Sequence, residues 1–334
     1  MGFRLFFICA LAFGTQKTLA LLGSSEYDIP AVVLDEKATE QRALAVFKNI
    51  DAWLGDLNAP PDLQFATACE GFNLERGSYG LAYDPQTNLL QYHGLHRYAQ
   101  KHHETFLAHE YGHAIFRANI GIVNPSTNGH LDKSLKLREV LRGELSQVSQ
   151  TRCRRSPVEA SVEFLDLQKE FLDLDYFTFG ALRLGAYDEL FADIVAVLYS
   201  GHGDAVYRAV GGEQTNWTKK YFVSLPEGYR GRDFTYLLSV GEWSDNSRHM
   251  SFYDFLGSAS DMYNVLDPVR SYLWEKYLKN LPKSLYAKFF EAYLRAVGVE
   301  YKRYIEQRIW EQPVRDMNER FIKSLDEQME SAAI

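Results

Sequence analysis

His109-Glu110-Tyr111-Gly112-His113 lies in a segment whose apolar residues recur at helical spacing. In a helix, two histidines four residues apart lie about 40° apart around the axis and about 6 Å apart along it. Both imidazoles can therefore reach one metal ion. The glutamate between them lies where its carboxylate can take a proton from a water molecule that the ion activates. The pentapeptide predicts a metal centre on a helix.

The segments around this pentapeptide predict a mixed lobe of helices and strands. Residues 38–54 and 101–120 have helical patterns, and Gly121 is typical of a helix C-terminus. Short stretches between these helices have the composition and the flanking turns of strands, at residues 63–69, 79–83 and 89–93. We expect them to form a small antiparallel or mixed sheet.

A second apolar helix is predicted from Tyr187 onward, and it carries Glu189 and Asp193 on one face. Buried carboxylates are costly unless a positive charge meets them. A metal ion bound by the two histidines is such a partner. The structural alternative is that Asp188 and Glu189 stabilise the first turn of the helix through its dipole. That alternative leaves Asp193, one turn further on, without an explanation.

H-E-x-x-H followed downstream by E-x-x-x-D on a helix resembles the gluzincin zinc metallopeptidases, of which thermolysin-like enzymes are the best known. The resemblance covers two short blocks of the chain. It implies that one Zn²⁺ ion is bound by His109, His113 and Glu189. It also implies that Glu110 is the general base that serves the zinc-activated water.

The resemblance further assigns two outer carboxylates. Asp193 would orient His109, and Asp188 falls next to the second histidine, where the family often has asparagine; such contacts fix the tautomer of a histidine ligand and raise its basicity. The spacing departs from the family, because 76 residues separate the second histidine from Glu189, whereas thermolysin-like enzymes place this glutamate much sooner. A predicted helical insertion at residues 122–186 accounts for the difference.

Other residues are candidates for the remaining roles. Asp188 and Cys69 are alternative third ligands, since their surroundings partly resemble those of the ligands in aspzincins and peptide deformylases. Thermolysin-like enzymes place a tyrosine and a histidine where the oxyanion develops, and His249 is the first candidate for such a donor here. Further candidates for the same role are Tyr187, Tyr253 and Arg270. The alternative for His249 is an ordinary loop histidine.

Composition and the N-terminus indicate the compartment and the class of partner. The chain has 334 residues, a formal net charge of -8 and no long basic run, which argues against a nucleic-acid partner. Residues 1–20 combine one basic residue, a short apolar run and small residues near the end, which is typical of a cleaved secretory signal. We expect a secreted or periplasmic protein without stable membrane insertion. Cys69 and Cys153 then form a disulfide or remain buried thiols.

Together with the resemblance, these features predict an α+β, zincin-like fold. A sheet-containing N-terminal lobe, residues 21–121, ends in the helix of the two histidines, the insertion follows, and a mostly helical C-terminal lobe, residues 187–334, carries the third ligand. The expected function is that of a secreted zinc metallopeptidase, which cleaves polypeptide or peptide substrates. The alternatives are a catalytically inactive zinc-binding protein of the same fold and a zinc amidase that acts on cell-wall peptide.

Overall fold

The structure is a computed structural model, and it describes residues 36–61, 63–67, 81–84, 88–92, 102–125, 175–210, 228–240, 265–307 and 314–334. Within these ranges the chain forms seven α-helices and three β-strands. In chain order they are α1 (Glu36–Asp51), β1 (Gln64–Thr67), β2 (Leu81–Asp84), β3 (Leu89–Tyr92), α2 (His103–Val123), α3 (Asp175–Ser200), α4 (Ala205–Ala209), α5 (Asp267–Lys276), α6 (Tyr286–Gln307) and α7 (Val314–Ser331). Two short 3-10 turns, Leu278–Asn280 and Lys283–Leu285, connect α5 to α6.

The three strands form a small mixed sheet in the order β1, β3, β2. β1 runs parallel to β3, and β2 runs antiparallel to it. Each strand has four residues, and β2 lies against α2. Strands this short bury too few side chains to enclose a core of their own. The prediction of an α+β fold with a sheet lobe is therefore wrong, because the described residues are mainly helical and the core lies between helices.

The centre of the described part of the molecule is the contact between α2 and α3. The side chains of both helices that face this contact are buried, as expected for helices that are enclosed by others. The two backbones approach closely at Gly112, where an added Cβ would lie 2.7 Å from Cα of Ala192. Any side chain at residue 112 would push the helices apart. The contact brings the face of α2 with His109 and His113 close to Glu189 on α3.

The end of α2 is fixed by a side chain rather than by glycine. The helix passes through Gly121, its predicted end, and continues to Val123. Asn124 then donates from Nδ2 to the carbonyls of Ile120 and of Leu294 in α6, both at 2.9 Å. These bonds satisfy a carbonyl in the last turn of the helix. They also connect the end of α2 to α6.

Aromatic side chains fill the space between α3 and the C-terminal helices. Phe191 of α3 packs against Phe290 and Tyr293 of α6, with ring centroids 5.3 and 5.4 Å apart. The hydroxyl of Tyr293 donates to the carbonyl of Tyr187 at 2.7 Å, and its ring packs edge-on against Phe321 of α7. Helix α3 is thus in contact with α2 on one side and with α6 and α7 on the other.

Helix α3 begins at Asp175, well before Tyr187, so the predicted lobe boundary between residues 186 and 187 lies within it. Most of the predicted insertion at residues 122–186 and the predicted signal at residues 1–20 lie outside the described residues. Among the described helices, none combines the length and the apolar character that are needed to cross a membrane.

Candidate metal centre

Three buried side chains meet between α2 and α3. His109 and His113 lie one turn apart on α2, and Glu189 faces them from α3. The Nε2 atoms of the two histidines are 3.2 Å apart, and Oε2 of Glu189 lies 3.4 Å from Nε2 of His109 and 3.6 Å from Nε2 of His113. In the order His109, His113, Glu189 the residues are 7%, 3% and 1% exposed. Together they could hold a metal ion.

Each of these histidines has a carboxylate at its other ring nitrogen. Nδ1 of His109 is 3.0 Å from Oδ1 of Asp193, and Nδ1 of His113 is 2.7 Å from Oδ1 of Asp188. An ionised carboxylate only accepts hydrogen bonds, so the proton in each of these contacts belongs to Nδ1. The lone pair of a neutral imidazole then lies on Nε2. Both Nε2 atoms are thereby suited to bind one ion together with Glu189.

The electrostatic surroundings of the histidines favour positive charge. Burial lowers the pKa of His113, but the carboxylates of Asp188 and Glu189 outweigh burial and raise this pKa to about 10. Burial also lowers the pKa of His109, and hydrogen bonds to Asp193 and Glu189 bring it above its ordinary value. Burial raises the pKa of Glu189, yet the two histidines bring it well below its ordinary value. The site therefore attracts protons or a metal ion.

Glu110 lies beside strand β2. Its Oε2 accepts a hydrogen bond from the backbone N–H of Tyr83 at 2.8 Å, and the residue is buried. In an antiparallel pair, alternate residues direct their N–H groups toward the partner strand and away from it. The N–H of Tyr83 points to Glu110, and therefore away from β3. The edge of β2 that does not pair with β3 thus faces the carboxylate of Glu110.

Two arginines from distant parts of the chain surround Asp193. Arg270 of α5 is fully buried and donates from Nε and Nη2 to Oδ2 of Asp193, at 2.9 and 2.6 Å, and from Nη1 to Asp267 at 2.9 Å. Arg232 donates from Nε to the same Oδ2 at 3.1 Å and from Nη2 to Oδ1. Burial raises the pKa of Asp193, but Arg232 and Arg270 hold it well below its ordinary value. Asp193 is therefore an ionised group between His109 and two guanidinium groups.

The other sequence candidates lie in different places. Arg270, a candidate oxyanion donor, directs its guanidinium to the two acids just described. Tyr187, another such candidate, is buried, and its ring packs on Phe321 with centroids 4.4 Å apart. Asp188, an alternative third ligand, contacts Nδ1 of His113 and not the point where the three ligand atoms meet. The remaining candidates lie outside the described residues: His249, Tyr253, Cys69 and Cys153.

The sequence does not single out Arg232. It lies in an aperiodic segment, and 123 residues separate it from His109. One signal in the sequence does point to such a residue. Three acids in one short helical stretch, Asp188, Glu189 and Asp193, carry more negative charge than one divalent ion balances, so further buried cations are needed. The pattern does not tell which arginines supply them.

Comparison of the chain with protein-family models, with curated proteins and with solved structures gives no match. The functional interpretation of the site therefore depends on its own geometry and chemistry.

Proposed function

We propose that this protein is a zinc-dependent peptidase of the gluzincin type. The observation that carries the proposal is the triangle of Nε2 of His109, Nε2 of His113 and Oε2 of Glu189, with sides of 3.2, 3.4 and 3.6 Å. Zinc binds histidine nitrogen and carboxylate oxygen at about 2.0 to 2.2 Å, so two ligand atoms of a tetrahedral site are about 3.3 to 3.6 Å apart. The triangle fits three of the four tetrahedral positions.

The donor set supports zinc over other metal ions. Calcium and magnesium prefer oxygen ligands, and two of the three donors here are imidazole nitrogens. An octahedral ion with bonds of about 2.0 to 2.2 Å would bring neighbouring ligand atoms to about 2.8 to 3.1 Å, which is shorter than the sides of this triangle. Carboxylates at both Nδ1 atoms are also typical of zinc-binding histidines.

Glu110 is the residue that favours catalysis over metal binding alone. Zinc in such a site supplies an activated water and polarises a carbonyl group. Glu110 accepts the proton of the attacking water and returns it to the departing amine. The N–H of Tyr83 holds one oxygen of the carboxylate at 2.8 Å and thereby fixes its orientation. A site that only binds a metal does not need a carboxylate at residue 110.

The edge of β2 that faces away from β3 pairs with no other described strand, and this supports a polypeptide as the substrate. An extended peptide can add to an exposed strand edge through main-chain hydrogen bonds, which are independent of its sequence. A peptide bound in this way along β2 would lie beside Glu110. It would pair through other main-chain groups of the strand, because the N–H of Tyr83 already donates to that carboxylate.

Assignment to the gluzincins, and to a secreted location, draws on the sequence. The first rests on the two short blocks around His109 and Glu189, and the second on residues 1–20. The long segment between the two blocks distinguishes this chain from the thermolysin-like pattern. Helices α2 and α3, on either side of this segment in the sequence, are in close contact at Gly112.

The decisive experiment compares the wild-type protein with Glu110→Gln. We expect both to bind one zinc ion per chain and only the wild type to cleave casein or a broad peptide library, since glutamine cannot accept the proton. Glu104→Gln is the matched control, because Glu104 lies on the same helix but is exposed, and it should keep full activity. The proposed peptidase activity would be refuted if the wild-type protein and Glu110→Gln both bind zinc and neither cleaves any of these substrates. Stoichiometric iron in place of zinc would refute the metal assignment.

The ligand assignment has a separate test. Glu189→Ala should lower zinc affinity by more than about 100-fold, because it removes a direct ligand. The affinity is measured by competition with a chromogenic chelator, with Glu104→Ala as the control that keeps it. Full zinc affinity in Glu189→Ala would overturn the assignment of the third ligand.

A further inference from the structure

The guanidinium group of Arg232 lies directly beside the ligand atoms. Its Nη2 is 3.4 Å from Nδ1 and 3.5 Å from Nε2 of His109, and 3.9 Å from Oε2 of Glu189. The same nitrogen donates to Asp193. A metal ion bound to Nε2 of His109 at about 2.1 Å would lie within about 5.6 Å of Nη2. A fixed positive charge is thus a close neighbour of any metal ion in this site.

The fold itself sets the position of Arg232. Its φ of 61° is in the left-handed region, which residues other than glycine rarely adopt. Its backbone N–H donates to Oδ1 of Asp267 at 3.2 Å, and Asp267 also accepts hydrogen bonds from Arg270 and Tyr229. The side chain is 11% exposed. A strained backbone conformation persists only where surrounding contacts hold it in place, and such positions are common at functional sites.

We propose that Arg232 is an internal counter-cation that lowers the affinity of the site for its metal ion. The inference rests on the metal site proposed above. The guanidinium and the ion both interact with His109 and Glu189, and like charges a few ångströms apart in a buried site repel each other strongly. In the metal-free protein, the same guanidinium compensates the buried acids around it. Arg232 therefore stabilises the metal-free site and weakens metal binding.

These two effects distinguish a tuning residue from a structural one. Loss of a purely structural arginine would loosen the site and weaken both the fold and the binding of metal. Loss of an internal counter-cation destabilises the metal-free fold but strengthens the binding of metal. The opposite signs of the two changes are the signature of the proposed role.

Zinc affinity of the full chain, measured by competition with a chromogenic chelator, tests the proposal. We expect Arg232→Gln to bind zinc about tenfold more tightly or better, because a like charge beside the ion is removed. The thermal midpoint of the chelator-treated variant should be lower than that of the wild type. Arg232→Gly is a second neutral variant, since glycine adopts a φ of 61° without strain. Arg232→Lys, which keeps the charge, should bind zinc nearly as the wild type does.

Arg230→Gln is the matched control, because it removes the same charge from the same segment. Arg230 pairs with Asp233 at 2.8 Å and lies 3.8 Å from Asp204, and its removal should leave zinc affinity unchanged. The inference is overturned if the neutral variants of Arg232 bind zinc no more tightly than the wild type does. That result would leave the proposed zinc site itself intact. A wild-type protein that binds no zinc refutes the proposed function itself, and the inference with it.

Discussion

Asp193 shows how a buried carboxylate is kept ionised next to a histidine. It contacts His109 on one side and the guanidinium groups of Arg232 and Arg270 on the other. Both arginines stabilise its negative charge, so it can orient the imidazole without taking its proton. Removal of one partner from such a buried network costs about 3 to 5 kcal/mol, since the remaining charge has no compensation. Arg270 therefore contributes to the site although it lies behind it.

The pKa of His113 predicts a pH dependence of metal binding. Burial lowers this pKa, but Asp188 and Glu189 raise it to about 10 in the metal-free protein, above the ordinary value of 6.5. A ligand must be deprotonated, so zinc at the proposed site would have to displace the proton. Its affinity should then rise by up to about tenfold per pH unit between about pH 7 and 9. The charged His113 also stabilises the metal-free fold. That stabilisation is complete below pH 6.5 and is lost as the pH rises toward about 10.

Calorimetric titration with zinc in buffers of different ionisation enthalpy measures the displaced proton. We expect the apparent binding enthalpy to depend on the buffer at neutral pH, with about one proton or more released per zinc ion. The control is the same titration with a His113→Gln variant, which should release fewer protons. An enthalpy that is identical in all buffers would contradict a protonated His113 in the metal-free site.

At the scale of secondary-structure elements, we expect the distance between α2 and α3 to control the candidate metal site. Gly112→Ala would place a Cβ 2.7 Å from the backbone of Ala192 and force the helices apart. We expect a loss of about 1 to 3 kcal/mol in the free energy of unfolding. Zinc affinity should fall as well, because Glu189 moves away from the histidines. Chemical denaturation and chelator competition measure the two effects.

Gly201→Ala is the comparison for this variant. Gly201 has a φ of 75°, and no atom of the other described residues lies within 4 Å of an added Cβ there. Alanine at this residue would therefore strain the backbone without a steric conflict with the described part of the chain. It should reduce stability by about 1 kcal/mol and leave zinc affinity unchanged. Equal zinc affinities in the Gly112→Ala and wild-type proteins would show that the spacing of the helices does not control the site.

The same elements show what could be predicted from the sequence. Helical periodicity locates the helices of His109 and Glu189, because a repeat of 3.6 residues depends on local sequence alone. Composition and turns also indicate where short strands occur. The predicted sheet lobe is wrong because such patterns do not tell how long the strands become or which helices cover them. Arg232 could not be predicted, since its place beside His109 depends on contacts between distant segments.

At the scale of the whole molecule, a bound metal ion would connect α2 to α3 and strengthen the centre of the fold. A ligand that binds only the folded state stabilises it by about 2.7 kcal/mol when its free concentration is 100 times its dissociation constant. We therefore expect chelation of zinc to lower the thermal midpoint of the wild-type protein, as followed by circular dichroism. Glu189→Ala should show no such shift. A wild-type midpoint that is the same with and without zinc would argue against metal binding by the folded protein.

The hydrogen bond from Tyr83 to Glu110 comes from the main chain, and this has a consequence for evolution. Every amino acid except proline carries the same N–H donor, so residue 83 can change its identity without loss of this contact. Proline is tolerated at the edge of a sheet where the residue's N–H does not pair with a neighbouring strand. At residue 83 it would remove the N–H that donates to Glu110. The hydrogen bond that orients Glu110, the proposed general base, can therefore persist through many substitutions at residue 83 without any conserved side chain there.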